Sequence, residues 1–160
     1  MFTIRSIQPF DNQALAIIIR DTLTEFGANH PGTVFHDPTT DSLFEFFRKT
    51  KSVYFVVETE EGKVVGGGGI YPTEGLPSDT CELVKMYLLP EVRGTGLGRT
   101  IVENCLQAAR DNGFDRIYLE TMPELKLALR LYEKFGFTYL CGPLGNSGHF
   151  GCDLHMIRDL

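Results

Sequence analysis

Three glycines at alternate positions, Gly94, Gly96 and Gly98, stand between Arg93 and Arg99 in a chain of 160 residues. Before them, Cys81–Leu89 (CELVKMYLL) has the pattern of a long strand, and Pro90 closes it because proline cannot donate to a ladder. After them, Leu97, Ile101, Cys105, Ala108 and Ala109 recur at helical spacing, and Asn112-Gly113 reads as the C-cap. The segment is therefore a strand–loop–helix joint. Glycine lets such a joint turn tightly and approach a ligand closely. The first N–H groups of a helix lack intrahelical acceptors and lie at the positive end of its dipole, which suits a phosphate. Arg93 and Arg99 add charge, and Thr100 adds a hydroxyl.

The joint excludes some nucleotide folds and leaves others open. A P-loop requires GxxxxGK[ST], which is absent. A Rossmann fingerprint requires GxGxxG directly after a strand and an acid about 20 residues on. Here the spacing is GxGxG and Pro90–Val92 intervenes, although Glu120 falls near the right distance. Dinucleotide binding, with an oxidoreductase activity, thus stays open as a minor reading.

The rest of the chain alternates between the two periodicities. Phe2–Ser6 reads as a strand, and Asp11 or Asn12 caps a helix carrying Ala14, Leu15, Ile18 and Ile19. Asn29–Thr40 holds two prolines, a glycine and two histidines and reads as a loop. Asp41 is expected to cap a second helix with Leu43, Phe44 and Phe47 on its face. Ser52–Thr59 and Val64–Tyr71 form a hairpin about Glu60–Lys63. Four successive glycines, Gly66 to Gly69, suggest a bulge or the close approach of another backbone. Arg116–Thr121 is a strand, and Pro123 suits the first turn of a helix with Leu125, Ala128, Leu129, Tyr132 and Phe135 on its face. Phe137–Leu140 and Cys152–Ile157 are the last strands, on either side of Gly142–Gly151. With no repeat and no linker, residues 1–160 read as one mixed α/β domain. The central hairpin argues against a purely parallel sheet.

Composition narrows the function classes. Hydrophobic residues at 42% and charged residues at 22% argue against disorder. The net charge is -6 without a Lys/Arg cluster, which argues against a nucleic-acid binder and would favour a cationic partner such as an amine. Cys81, Cys105, Cys141 and Cys152 are far apart, with no His at ligand spacing, so reduced thiols and no metal are expected. No apolar run approaches the roughly 18 residues of a membrane span. Met1–Phe10 lacks the apolar run of a signal peptide, so the expected compartment is the cytoplasm.

Two motifs in order give a resemblance. Arg93-Gly94-Thr95-Gly96-Leu97-Gly98 matches [Q/R]-x-x-G-x-[G/A] after a strand, and Leu131-Tyr132-Glu133-Lys134-Phe135-Gly136-Phe137 matches a helix ending in Leu-Tyr-x-x-x-Gly-Phe. Over roughly Cys81 to Phe137 the chain resembles the GNAT superfamily of acyl-CoA-dependent N-acetyltransferases. The resemblance implies a mixed, mostly antiparallel central sheet with helices on both faces, and acetyl-CoA as co-substrate. It implies that the amides of Gly94, Thr95, Gly96, Leu97, Gly98, Arg99 and Thr100 hold the pyrophosphate, with Arg93 adding charge. The backbone of Met86, Tyr87 and Leu88 would pair with pantetheine where this strand splays from Arg116–Thr121. Tyr132 would protonate the departing thiolate, and Glu82 or Glu120 would serve as base, directly or through water. Many relatives carry Asn on the helix turn that here reads Pro123-Glu124-Leu125-Lys126; Thr121 is the expected substitute.

The same resemblance places the acceptor between Asn29–Thr40 and Gly142–Gly151, which contain His30, His36, Asn146, Ser147, His149 and Phe150. His30, His149 and Phe150 are the expected substrate contacts. The acceptor is expected to be an amine of a small molecule or a peptide; its identity and the oligomeric state, including a homodimer, stay open. A non-catalytic acyl-CoA sensor of the same fold is the alternative.

Overall fold

The computed structural model describes all residues, Met1–Leu160. The strands are β1 (Phe2–Ser6), β2 (Val53–Thr59), β3 (Val64–Tyr71), β4 (Thr80–Leu88), β5 (Arg116–Thr121), β6 (Thr138–Tyr139) and β7 (Leu154–Asp159). They form one sheet in the order β1-β2-β3-β4-β5-β7-β6. Every neighbouring pair is antiparallel except β4 and β5. The helices are α1 (Asn12–Glu25), α2 (Leu43–Phe46), α3 (Leu97–Asp111) and α4 (Lys126–Lys134). No helix is long and apolar enough to cross a membrane.

Strand alternation divides the core into two layers. Tyr54 and Val56 of β2 pack with Leu15, Ile19 and Leu23 of α1. Val57 of the same strand, with Val53 and Phe55 beside it, packs with Ile101, Val102 and Cys105 of α3. Helices therefore cover both faces, as the resemblance implies. The four glycines of β3 have a packing reason. Added side-chain carbons at Gly67 and Gly69 would strike the Tyr54 ring and the β2 backbone, and one at Gly68 would strike Ile101 of α3. The register also slips on both sides of this strand, so bulge and close approach occur together.

Asp11 occupies the N-cap position of α1, as expected, but its side chain bonds elsewhere: the buried carboxylate is taken by Arg5 at 2.8 and 2.9 Å and by the Gln8 N–H at 2.7 Å. Two local expectations are corrected. Asp41 does not cap α2, because Arg20 of α1 holds it, and α2 is a single turn preceded by two 3-10 turns, Val34–His36 and Pro38–Asp41. Pro123 lies outside α4. Met122 is buried in the α1 layer and Leu125 packs against it, so the chain must turn there, with the Leu125 N–H bonded to the Met122 carbonyl, before the helix starts at Lys126.

Candidate active site

The glycine joint is an uncapped helix start. Gly96 is the N-cap of α3 at φ +91°, and no side chain caps the first turn. Its amides have no intrahelical acceptors. Gly94 is also left-handed at φ +74°, and a side-chain carbon at either glycine would meet no atom within 4 Å. The space in front of the amides is open. The arginines are otherwise engaged. Arg93 clamps both oxygens of Glu25 at 2.8 Å and donates to the Leu88 carbonyl at 3.0 Å, which ties the joint to the end of α1. Arg99 pairs with Glu103 one turn along α3 at 2.8 Å, on an exposed surface. Thr95 and Thr100 turn their hydroxyls back to the carbonyls of Val92 and Gly96.

Behind this joint the sheet opens. β4 and β5 pair only over Thr80–Glu82 and Arg116–Tyr118. Beyond Glu82 they share no ladder, and a cavity of about 490 Å³ occupies the space between them. Gly94, Gly96 and Gly98 line one end, and Glu82, Glu120 and His149 line the other.

A bulge shapes the β4 wall. Gly67 pairs with Tyr87 and Gly69 with Val84, so two residues of β4, Lys85 and Met86, stand opposite Gly68. Lys85 has φ +52°, a left-handed conformation that costs a side-chain-bearing residue roughly 1–2 kcal/mol. The Tyr54 hydroxyl offsets this by donating to the Lys85 carbonyl at 2.7 Å within the core. The bulge reverses the alternation of the strand. Cys81 and Leu83 face the α3 layer before it, Met86 and Leu88 after it, while Val84 and Tyr87 face α1.

Tyr132 reaches the cavity from the α3 layer. The α4 face made by Ala128, Leu131 and Tyr132 packs on that core, and the hydroxyl lies 4.0 Å from the Met86 sulfur. Burial pushes its pKa up, with a smaller push from Cys105, so the phenol keeps its proton.

The other end of the cavity is a buried polar cluster. Glu82 is 3% exposed and accepts the Thr73 hydroxyl at 2.7 Å. Burial, then the charge of Glu120, push its carboxyl up to about 8 against the pull of Thr73 and Lys85. Glu120 accepts the Tyr118 hydroxyl at 2.8 Å on one oxygen and the Ser147 hydroxyl on the other. The His149 ring sits between two acids, with Nε2 2.7 Å from Asp37 Oδ2 and Nδ1 4.0 Å from Glu120 Oε1. Burial alone would raise Asp37; the His149 contact, the Lys85 charge and two bonds from Thr39 outweigh it and hold the carboxyl well below its usual range. Lys85 is buried with Nζ 3.6 Å from Asp37; burial lowers its pKa although Asp37 and Glu82 oppose this. No three His, Cys, Asp or Glu side chains converge in a metal-binding group.

The sequence pattern of the acetyltransferase (GNAT) family matches residues 18–137. The chain belongs to the GNAT family. It is 44% identical over 151 residues to the uncharacterized N-acetyltransferase YjgM of Escherichia coli K12, covering 94% of this chain and 90% of that protein. A GNAT-family acetyltransferase of Staphylococcus aureus Mu50 superposes with a TM-score of 0.88 at 16% identity, over 99% of both chains. A Salmonella typhimurium structure described as a putative acetyltransferase with its cofactor acetyl-CoA gives 0.75 at 22% identity, over 99% of this chain and 94% of that one. At such identities the structures speak to the fold.

Within this GNAT fold the cavity gathers most residues singled out in the sequence. Glu82, Glu120, Tyr132, Thr121, Arg93, Arg99 and His149 all line it, as do Met86, Tyr87 and Leu88. Thr95, Leu97 and Thr100 do not, and Leu97 packs into the α3 core. His30 lies outside with its Nδ1 3.4 Å from the Pro31 carbonyl, and Phe150 is 82% exposed over Gly32. Sequence reasoning missed Asp37, Lys85, Tyr118 and His155. A lysine inside the strand CELVKMYLL was the one available signal, since a charge there must be buried or paired.

Proposed function

We propose that this GNAT protein transfers the acetyl group of acetyl-CoA to the nitrogen of a primary amine, and that residues 1–160 act as one domain in doing so. One observation carries the reading. The cavity runs unbroken from the uncapped start of α3, through the gap between β4 and β5, to the buried acids, with Tyr132 along its wall.

Each part has work that its chemistry suits. The amides from Gly94 to Arg99 hold the pyrophosphate, where left-handed glycines leave room, whereas the Thr100 N–H already bonds the Gly96 carbonyl at 3.1 Å. Met86, Tyr87 and Leu88 offer unladdered backbone to pantetheine, and Thr121 faces the same space where many relatives have Asn. The thioester then lies in the gap, with Tyr132 on the α3 side and the acids on the α1 side. An arriving ammonium gives a proton to Glu120, which lines the cavity beside His149, whereas Glu82 already holds a proton up to about pH 8. The neutral nitrogen attacks the thioester carbon, and a backbone N–H near Tyr87 or Leu88 donates to the oxyanion. The C–S bond breaks, the thiolate takes the Tyr132 proton, and the nitrogen, cationic once bonded to carbon, gives up its second proton to restore the phenol.

A thiol-release assay with acetyl-CoA over a panel of amines tests this, beside calorimetry with acetyl-CoA, CoA and NAD. Turnover with at least one amine is expected. Acetyl-CoA binding without turnover would instead favour an acyl-CoA sensor, and preferential NAD binding would favour a dinucleotide enzyme.

A further inference from the structure

The reaction leaves a proton on Glu120, and that proton must go somewhere before the next amine arrives. Glu82 cannot relieve it, because it is itself a buried acid beside Glu120. Tyr118 and Ser147 approach Glu120 as donors. Two ring nitrogens approach it, His155 Nε2 at 3.8 Å and His149 Nδ1 at 4.0 Å, and of the two only His149 lines the cavity and is also held by a second acid, Asp37. Asp37 accepts only, so at 2.7 Å Nε2 of His149 is its donor, and in the neutral ring this leaves Nδ1 as the acceptor. Nδ1 faces Glu120 Oε1 at 4.0 Å, within about 1 Å of a hydrogen-bond length. The ring is 14% exposed, against 4% for Glu120 and 10% for His155, so it lies nearer to solvent than either.

We propose that His149, oriented by Asp37, is the proton relay of acetyl transfer: it takes from Glu120 the proton shed by the amine and passes it to solvent. This rests on the acetyltransferase reading above. The step balances. Protonated Glu120 gives its proton to Nδ1 and returns to the carboxylate. The imidazolium so formed lies between two carboxylates, and then loses the proton to water. The neighbours that face this path are Asp37 from the loop before α2, Lys85 and Glu82 from β4, Tyr118 and Glu120 from β5, and His155 from β7, whose Nε2 lies 3.8 Å from Glu120 Oε2. Lys85, 3.6 Å from Asp37, keeps that acid from competing for the proton. The sequence marks His149 as an acceptor contact; the structure sets one acid on each side of its ring.

The test is kinetic, on the full chain. His149→Ala and Asp37→Asn are compared with wild type over pH 6–9, using two acceptors: an alkylamine, which arrives protonated, and a weakly basic amine such as a hydroxylamine, which arrives neutral. With the alkylamine a loss of roughly 100-fold in kcat is expected for His149→Ala, of the size proton transfer contributes. Acetyl-CoA affinity should stay within about twofold, and added imidazole should restore part of the rate. With the weakly basic amine the loss should shrink to less than about tenfold. His149→Gln, which fills the same space, controls for packing and should behave like His149→Ala without imidazole rescue. An equal loss with both acceptors, or wild-type pH profiles in either variant, would overturn the relay while leaving acetyl transfer intact. A wild-type protein that binds no acetyl-CoA, or acetylates neither acceptor, would overturn the reading beneath it as well.

Discussion

The Tyr54 hydroxyl donates to the Lys85 carbonyl across two strands, 31 residues apart in sequence, and so pins the bulge that bends β4. Tyr54 is 2% exposed, and its ring fills the space left by Gly67 and Gly69. The hydrogen bond and the glycines belong to one device: small residues admit the ring, and the ring holds a strained residue in place. Tyr54→Phe keeps the packing but leaves a buried carbonyl unpaired, which costs about 1–3 kcal/mol. Urea denaturation should show that loss with an unchanged slope, and kcat should fall as the β4 wall relaxes. Tyr139→Phe is the control, because its hydroxyl bonds Glu133 on an exposed surface. A cost below about 0.5 kcal/mol is expected there.

Gly96→Val tests the loop. The residue sits at φ +91° with nothing within 4 Å of an added carbon, so a branched side chain is strained and also projects into the open space before the amides. Calorimetry should show acetyl-CoA affinity falling by more than about tenfold, or 1.4 kcal/mol. Gly113→Ala carries similar backbone strain at φ +81°, also in open space, but lies at the far end of α3. It should lower the melting temperature and leave affinity alone. Equal affinities in the two variants would detach the phosphate from this loop.

Tyr132→Phe separates chemistry from packing. Only the hydroxyl is lost, and its one polar neighbour is the Met86 sulfur at 4.0 Å. A sulfur at that distance is a weak acceptor, so the folded chain should lose less than about 1 kcal/mol. Turnover should fall by roughly 10²-fold, because the thiolate then leaves without an acid. Acetyl-CoA affinity should remain near wild type. A variant that loses affinity alone would make Tyr132 a packing residue.

What the sequence disclosed and withheld follows from distance along the chain. The joint Arg93–Thr100 and the motif Leu131–Phe137 are local: a strand, a turn and a helix announce themselves within a dozen residues, whereas the place of Arg116–Thr121 beside Cys81–Leu89 came only with the family resemblance. The β4 bulge was hidden because period-two reading assumes no extra residue, and nothing in CELVKMYLL marks where the alternation reverses. The Asp37–His149 contact joins positions 112 residues apart on two irregular loops, where no periodicity exists to read. His30 and Phe150 were as plausible as His149 by loop position alone; only the fold turns one inward and leaves the others outside.

Glu82 should leave a mark on stability as well as on chemistry. Its carboxyl keeps a proton to about pH 8 in the folded chain, whereas an unfolded glutamate releases it near 4.5. Between those values the folded state holds more protons, so stability falls as pH rises through this window, and the penalty is complete above it. Thr73 and Lys85 reduce the penalty but do not cancel it. Glu82→Gln is neutral at every pH and can still meet the Thr73 hydroxyl at its carbonyl oxygen. Melting curves of wild type and Glu82→Gln should therefore run close together at pH 5 and diverge toward pH 9, the variant being more stable by a few kcal/mol at the alkaline end. Parallel curves would mean that Glu82 is ionised throughout, which would return it to contention with Glu120 as the group that takes the proton from the amine.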